Sequence, residues 1–280
     1  MRSVVCALAL LTLPTSAFAG DFDILRGTVP TYRWAGFYAG GDFGYSSANV
    51  NLGQAAGPDI ANILRNTAIE QDEQISQWPL LGGESYPQSM NFGGFVGYNT
   101  EWENVVLGLE VDYSRISLTA SSSGALLHQG FTDSTNLPAG HNYVYNLNAS
   151  GQASFKMTDV ASLRARFGWE AGNFLPYAFA GVALSRASVS NSGTVSYTAI
   201  DNPDSEVPPL TPLNPLVFGP ITQTSAQSTL AYGVDAGIGL DFGVTSHVFV
   251  RGELEYIYFA PIDGDRVTIS SARAGVGYKF

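Results

Sequence analysis

Apolar and polar side chains alternate with a period of two through most of the last part of the chain. Ser270, Ala272, Ala274, Val276, Tyr278 and Phe280 fall on one face, with Ser271, Arg273, Gly275, Gly277 and Lys279 on the other. Over 248–258, Val248, Val250, Leu254, Tyr256 and Tyr258 oppose Arg251, Glu253 and Glu255, and 230–242 splits Leu230, Tyr232, Val234, Ile238, Leu240 and Phe242 from Asp235, Asp241 and a set of glycines. The rule also holds in 36–46, 92–99, 105–114 and 161–170. Side chains of a strand point alternately to its two faces, so each segment is predicted as a strand. An eighth, 174–186, is strand-like but apolar on both faces, and its inward side stays unassigned.

A soluble β-sandwich alternates in the same way, and the connections separate the two readings. Tight turns fall at 100–104, 171–173 and 243–247. Long loops occupy 47–90, 117–158 and 187–228, with a short fourth near 260–269. Short turns on one rim and long loops on the other are the signature of an outer-membrane barrel. The predicted fold is all-β: an eight-stranded antiparallel transmembrane up-and-down barrel with three long extracellular loops. Trp34, Trp102, Trp169, Phe174, Phe242 and Phe280 collect at the turn rim as an expected periplasmic aromatic girdle, with Tyr45, Tyr113, Tyr258 and Phe259 at the other.

Composition agrees. Thirty-one Gly, 14 Tyr and 16 Phe against three Met suit strands and turns better than helices. A formal charge of −11 with no basic cluster excludes nucleic acid as a partner. Residues 1–19 carry Arg2, an apolar run from Val4 to Leu13, and Ala17-Phe18-Ala19, the layout of a cleavable signal peptide. Residues 20–35 are expected as a periplasmic segment and 36–280 as the barrel. The single cysteine, Cys6, lies in the signal segment, so no thiol chemistry is expected after export.

The inward set is expected to be a mixed charge network: Asp42, Glu110, Asp112, Asp235, Asp241, Glu253 and Glu255 with Arg164, Arg166, Arg251, Arg273 and Lys279. Eight strands enclose an interior that side chains fill, which argues against a wide pore. If the turn at 242–248 closes symmetrically, Gly239 lies opposite Arg251 and Gly237 opposite Glu253, making room for long charged partners. A narrow solute path or a carboxylate active site would use the same residues. His128 and His141 fall in the second long loop and His247 in a turn, none beside a recognisable partner, so no catalytic residue, metal or cofactor is assigned.

The first loop has Ile60, Ile63, Leu64 and Ala68 at helical spacing after Pro58-Asp59, a short helix folded over the barrel mouth. It also holds Asp59, Glu70, Asp72, Glu73 and Glu84, and the third has Asp201, Asp204 and Glu206 with six prolines between 203 and 220. These acids are a candidate for sharing divalent cations with lipopolysaccharide.

Seven motifs in order then carry a resemblance. They are Trp34-Ala-Gly-Phe37-Tyr38-Ala-Gly, Gly93-Gly-Phe-Val-Gly-Tyr98-Asn99, Leu107-Gly-Leu-Glu110-Val-Asp112-Tyr113, Ser162-Leu-Arg164-Ala-Arg166-Phe-Gly168, Leu175-Pro176-Tyr177, Arg251-Gly-Glu253-Leu-Glu255-Tyr256 and Arg273-Ala-Gly-Val-Gly-Tyr278-Lys-Phe280. Together they resemble the alphaproteobacterial outer-membrane surface-antigen and porin-like proteins, a branch of the OmpA-like barrels. The resemblance covers the strands and skips the loops. It implies the outer membrane of a Gram-negative bacterium, contact with its lipid and lipopolysaccharide, and recognition of the strand ending at Phe280 by the barrel assembly machinery. No soluble domain is expected after Phe280. The expected function is non-enzymatic: envelope structure and surface display, with adhesion or ligand contact through the loops. The alternative is a narrow porin or a small-solute or haem uptake protein; an exported soluble sandwich is a further rival.

Overall fold

The computed structural model describes residues 32–134, 137–203, 210–262 and 265–280. The expected signal peptide and most of the segment after it lie outside them. So do Asp204, Glu206, Pro208 and Pro209.

The chain forms β1 (Gly36–Asn51), α1 (Gly57–Ile63), α2 (Ala68–Glu73), β2 (Glu84–Ser85), β3 (Gln88–Trp102), β4 (Val105–Asp133), β5 (Tyr143–Trp169), β6 (Phe174–Asp201), β7 (Leu216–Gly243), β8 (Val248–Ile262) and β9 (Asp265–Lys279). Strands β1 and β3 to β9 pair antiparallel in sequence order, and β9 pairs back to β1 from Tyr38↔Lys279 to Val50↔Val267. The ring of eight is closed, which leaves no sheet edge at that level. The two-residue β2 is an addition to β1.

Two expectations about the chain path are corrected. The stretches 117–158 and 187–228 are mostly strand, not loop: β4 to β7 run 27 to 29 residues each, where a tilted strand needs about 9–11 to cross a bilayer. The last turn is also offset. Gly243 pairs with Phe249, and Val244 and Thr245 both donate to the Val248 carbonyl. Gly239 therefore faces Glu253, Gly237 faces Glu255, and Asp241 faces Arg251.

The long strands change solvent part-way up. In β4, Leu107, Leu109, Val111 and Tyr113 point outward, and Glu110, Asp112 and Ser114 point inward. From Arg115 on, the same two faces exchange character: Arg115, Ser117, Thr119 and Ser121 point out while Ile116, Leu118 and Ala120 are buried. β5 repeats this with Lys156, Gln152 and Ser150 outside Met157, Phe155, Ala153 and Ala149, and β6 with Arg186, Ser188 and Ser190 outside Ala187 and Val189. Below the change the wall suits lipid outside and charge within. Above it, the wall suits water outside and an apolar core within.

Strand 174–186 now has an inward side. Leu175, Tyr177, Phe179 and Ala183 are buried, and Phe174, Pro176, Ala178 and Val182 face out.

Candidate functional site

The bore of the ring is filled in three layers. The floor, at the short-turn rim, packs Tyr32, Trp34, Tyr38, Phe95, Val106, Leu175, Tyr177, Phe179 and Phe249. Trp34 is therefore not in the outer girdle: it is 2% exposed, its ring stands 4.4 Å from that of Tyr32, and its indole N–H donates to the Gly172 carbonyl. The segment before β1 turns back into the mouth and carries it inside. Trp102, Trp169, Phe174 and Phe280 are exposed on the outer wall, and the Phe242 ring packs at a tilt against Phe174 with centroids 4.7 Å apart.

Charges lie above the floor in two tiers. In the lower, Arg166 donates to Asp241 at 2.8 Å and Arg251 to Asp241 at 2.9 Å and Glu110 at 2.8 Å. Both guanidiniums lie over aromatic faces of the floor: Arg166 is 3.8 Å from the Tyr177 ring centre and Arg251 3.9 Å from that of Phe95. In the upper tier, Arg164 donates through Nε to Asp235 at 2.8 Å and through Nη2 to Asp112 at 3.0 Å and Glu255 at 2.5 Å. Arg273 reaches Asp112 at 2.8 Å and Glu253 at 2.9 Å, with Asp42 at 3.9 Å. Seven carboxyls meet four guanidiniums here, and tyrosine hydroxyls donate to part of the excess: Tyr38 to Glu110 at 2.9 Å and Tyr177 to Glu253 at 2.6 Å. Lys279 does not join them. It sits at the rim, where its ammonium donates to the Arg33 carbonyl at 2.6 Å.

The third layer is the apolar core of the upper wall, and the first loop fills it. Val50, Leu52, Ile60, Leu64, Ile69 and Ile75 pack against Leu118, Leu147, Phe155, Met157, Val189 and Val195. The predicted single helix is two: α1 runs Gly57–Ile63 with Pro58 in its first turn and Leu64 as its C-cap, and Thr67 caps α2 by accepting from the Glu70 N–H. A row of glycines lets the loop lie this close. Gly124, Gly151 and Gly193 are cross-strand neighbours on β4, β5 and β6. A Cβ on Gly193 would stand 2.8 Å from Ile60, one on Gly151 2.8 Å from Ala56, and one on Gly124 would strike the Leu80 carbonyl. Sequence reasoning did not single out this row; its signal was three isolated glycines at matching distances along polar strand segments.

Three acids of the first loop are engaged within the protein. Asp59 is buried and accepts from Ser225, Glu70 accepts from Ser76, and Glu84 accepts from Tyr86. The basic residues are more telling. Arg115, Lys156 and Arg186 face outward on adjacent strands where the oily band ends, near Asp159, whose carboxylate accepts from the Tyr113 hydroxyl at 2.7 Å.

The histidines are dispersed. His128 packs on Trp78 and Phe131, and His247 on Tyr278. His141 Nδ1 is 2.6 Å from Asp201 Oδ2, and Asp201 also accepts from the Asn142 and Leu213 N–H groups at 3.1 and 2.8 Å, a clasp between two loops at the far tip. Burial pushes the Asp201 carboxyl up, but the donations from Leu213, His141 and Asn142 outweigh it and hold the group below the ordinary carboxylate range. A lowered carboxyl contributes stability that is present above its unfolded value of 3.8 and lost as pH falls through the lower folded one. Asp201→Asn should therefore speed amide exchange of the Asn142 and Leu213 N–H groups at pH 7. The wild-type clasp should hold as pH falls to 3.8 and open below it. Unchanged exchange in the variant would show that the clasp orders nothing. Among the described residues no group of three His, Cys, Asp or Glu side chains could hold a metal ion.

A closed ring of eight strands, oily outside and charged within, is the geometry of a bilayer-spanning barrel. The pattern described for the outer membrane protein beta-barrel domain matches residues 4–280. The chain belongs to that family. Its relatives include the 25 kDa outer-membrane immunogenic proteins of Brucella ovis, 22% identical over 99% of this chain and 96% of the relative, and of Brucella canis, 22% identical over 99% and 97%. Among solved structures, Neisserial surface protein A is similar over 88% of this chain and 98% of its own, with 16% identity and a TM-score of 0.36. The N-terminal barrel domain of Pseudomonas aeruginosa OprF covers the same shares with 14% identity and a TM-score of 0.35. This is an outer-membrane β-barrel protein with outer-membrane immunogenic proteins among its relatives.

Proposed function

We propose that residues 1–19 are removed as a signal peptide, that the strand ending at Phe280 is read by the barrel assembly machinery, and that the protein then serves as a non-enzymatic envelope component. Its lower ring braces the membrane. Its upper four-stranded wall is a stiff platform outside the cell, held up for contact with a ligand or another surface. The observation that carries this reading is the filled bore: an aromatic floor, two tiers of paired charges and an apolar core with a loop packed into it. Such an interior leaves the protein's work to its outer surfaces.

Planar-bilayer recording tests it. The purified protein should give no sustained stepwise conductance at neutral pH. Reproducible single-channel steps would instead support the narrow porin.

The row of Arg115, Lys156 and Arg186 supports lipopolysaccharide as a partner, since cations at the top of the oily band lie at the level of anionic headgroups. Replacing all three by alanine should lower co-purified lipopolysaccharide severalfold, read by the gel shift of the folded protein on adding it. Full retention would remove these residues from the contact.

A further inference from the structure

Above the oily band, β7 has a strand on one side only. Residues from Leu216 to Ala231 lie along β6, but pairing with β8 begins at Gly233, opposite Phe259. Over 216–232 alternate backbone N–H and C=O groups point along the sheet, away from β6, with no described strand to receive them. The stretch is also exposed on its faces: successive residues from Thr224 to Leu230 are all exposed, whereas β5 and β6 bury their inner faces under the first loop.

Long edges are ordinarily guarded by charges, prolines or short length. Between Leu216 and Val234 there is no charged residue, and Pro220 is the one proline. This bare edge belongs to a chain with 24 acids against 13 bases, in which two copies repel almost everywhere else.

We propose that this edge docks a second copy of the chain standing in a facing membrane, with the two β7 strands antiparallel. The proposal rests on the reading that the upper wall projects outside the cell. A copy in the same membrane does not fit. Its β7 would run parallel and continue downward along the line already taken by β8, which pairs with β7 from Gly233 to Gly243. In a facing copy the continuation runs upward and away. The open window is 216–232, so symmetric pairing centres on Thr224. Thr224 then faces its own counterpart, Gln223 faces Ser225, Thr222 faces Ala226, and Leu216 faces Tyr232. The contact is isologous, as a two-fold pair requires, and without like charges. Strands β4 to β7 of the two copies become one continuous eight-stranded sheet.

Two populations of phosphatidylcholine vesicles carrying the purified protein and different dyes test this. Wild-type vesicles should cluster. Thr224→Lys combined with Ala226→Pro should lower clustering by more than an order of magnitude while the protein keeps its heat-modifiable gel mobility. In a Cys6→Ser background, Thr224→Cys should form a disulfide-linked dimer on clustering, because directly opposed residues have Cα atoms about 4.5–5.5 Å apart, within disulfide reach. Ser190→Cys, on the outer face of β6, should not. Absence of wild-type clustering, clustering indifferent to the edge variants, or equal cross-linking at Ser190 would overturn the proposal. A separate arm labels Ser123→Cys on intact cells with a membrane-impermeant maleimide. Labelling without clustering discards the edge contact alone, and failure to label discards the outward-facing platform with it.

Discussion

Arg164→Met is expected to abolish the compact, heat-modifiable form of the barrel in detergent or to lower its melting temperature steeply. The guanidinium touches Glu110, Asp112, Asp235, Glu253 and Glu255, and the side chain is 1% exposed. Methionine keeps much of the apolar stem but leaves carboxylates facing one another in a sealed space. Breaking a buried pair by removing one partner costs about 3–5 kcal/mol. Lys279→Met is the matched control: a rim ammonium bonded to a backbone carbonyl should be worth about 0.5 kcal/mol or less. Circular dichroism melts and gel mobility read both. Equal melting of Arg164→Met and wild type would show that the two tiers do not hold the ring.

Ile60→Asp should act on the other end of the molecule. Ile60 is fully buried against Gly193, and a carboxylate there has no partner to meet. The first loop is expected to leave the wall, and limited proteolysis should then remove the upper strands while the lower ring keeps its heat-modifiable mobility. Leu64→Ala, which deletes apolar volume without adding charge, should give a milder version at about 2–5 kcal/mol. Arg164 and Ile60 lie in different layers with no shared contacts, so their effects should add within about 0.5 kcal/mol. If Ile60→Asp collapsed the lower ring as well, the two layers would be a single cooperative unit.

The strands at membrane level were legible in the sequence because opposite solvents on the two faces impose a strong period of two, as in Leu107 to Tyr113 or Ala272 to Phe280. The upper halves were not. They are rich in Ser, Thr, Asn and Gly, which by composition read as turns, and several of their inner positions are as small as Ala120, Ala149 and Ala153, so the alternation is faint. Its polarity is also the reverse of the lower halves. The inward side of 174–186 was hidden for a different reason: arginine faces rest on Tyr177 and Phe179, and these inward rings are as apolar as the outward Pro176 and Val182. Of the interior charges, Asp42, Glu110, Asp112, Arg164, Arg166, Asp235, Asp241, Arg251, Glu253, Glu255 and Arg273 lie together in the bore, each on the polar face of an alternating strand. Lys279 shares that parity but is one step from the chain end, where parity no longer means enclosure. Trp34 went wrong because it precedes the first strand and no period governs it.

The exchange of character at Arg115, Lys156 and Arg186 works as a depth gauge. Sinking the cylinder drags cations into hydrocarbon, at about 2–4 kcal/mol apiece at mid-plane and less near the surface. Raising it strips lipid from Val111 and Tyr113. The vertical setting is thus fixed by the polypeptide, and a bilayer of unsuitable thickness must deform around it or exclude it.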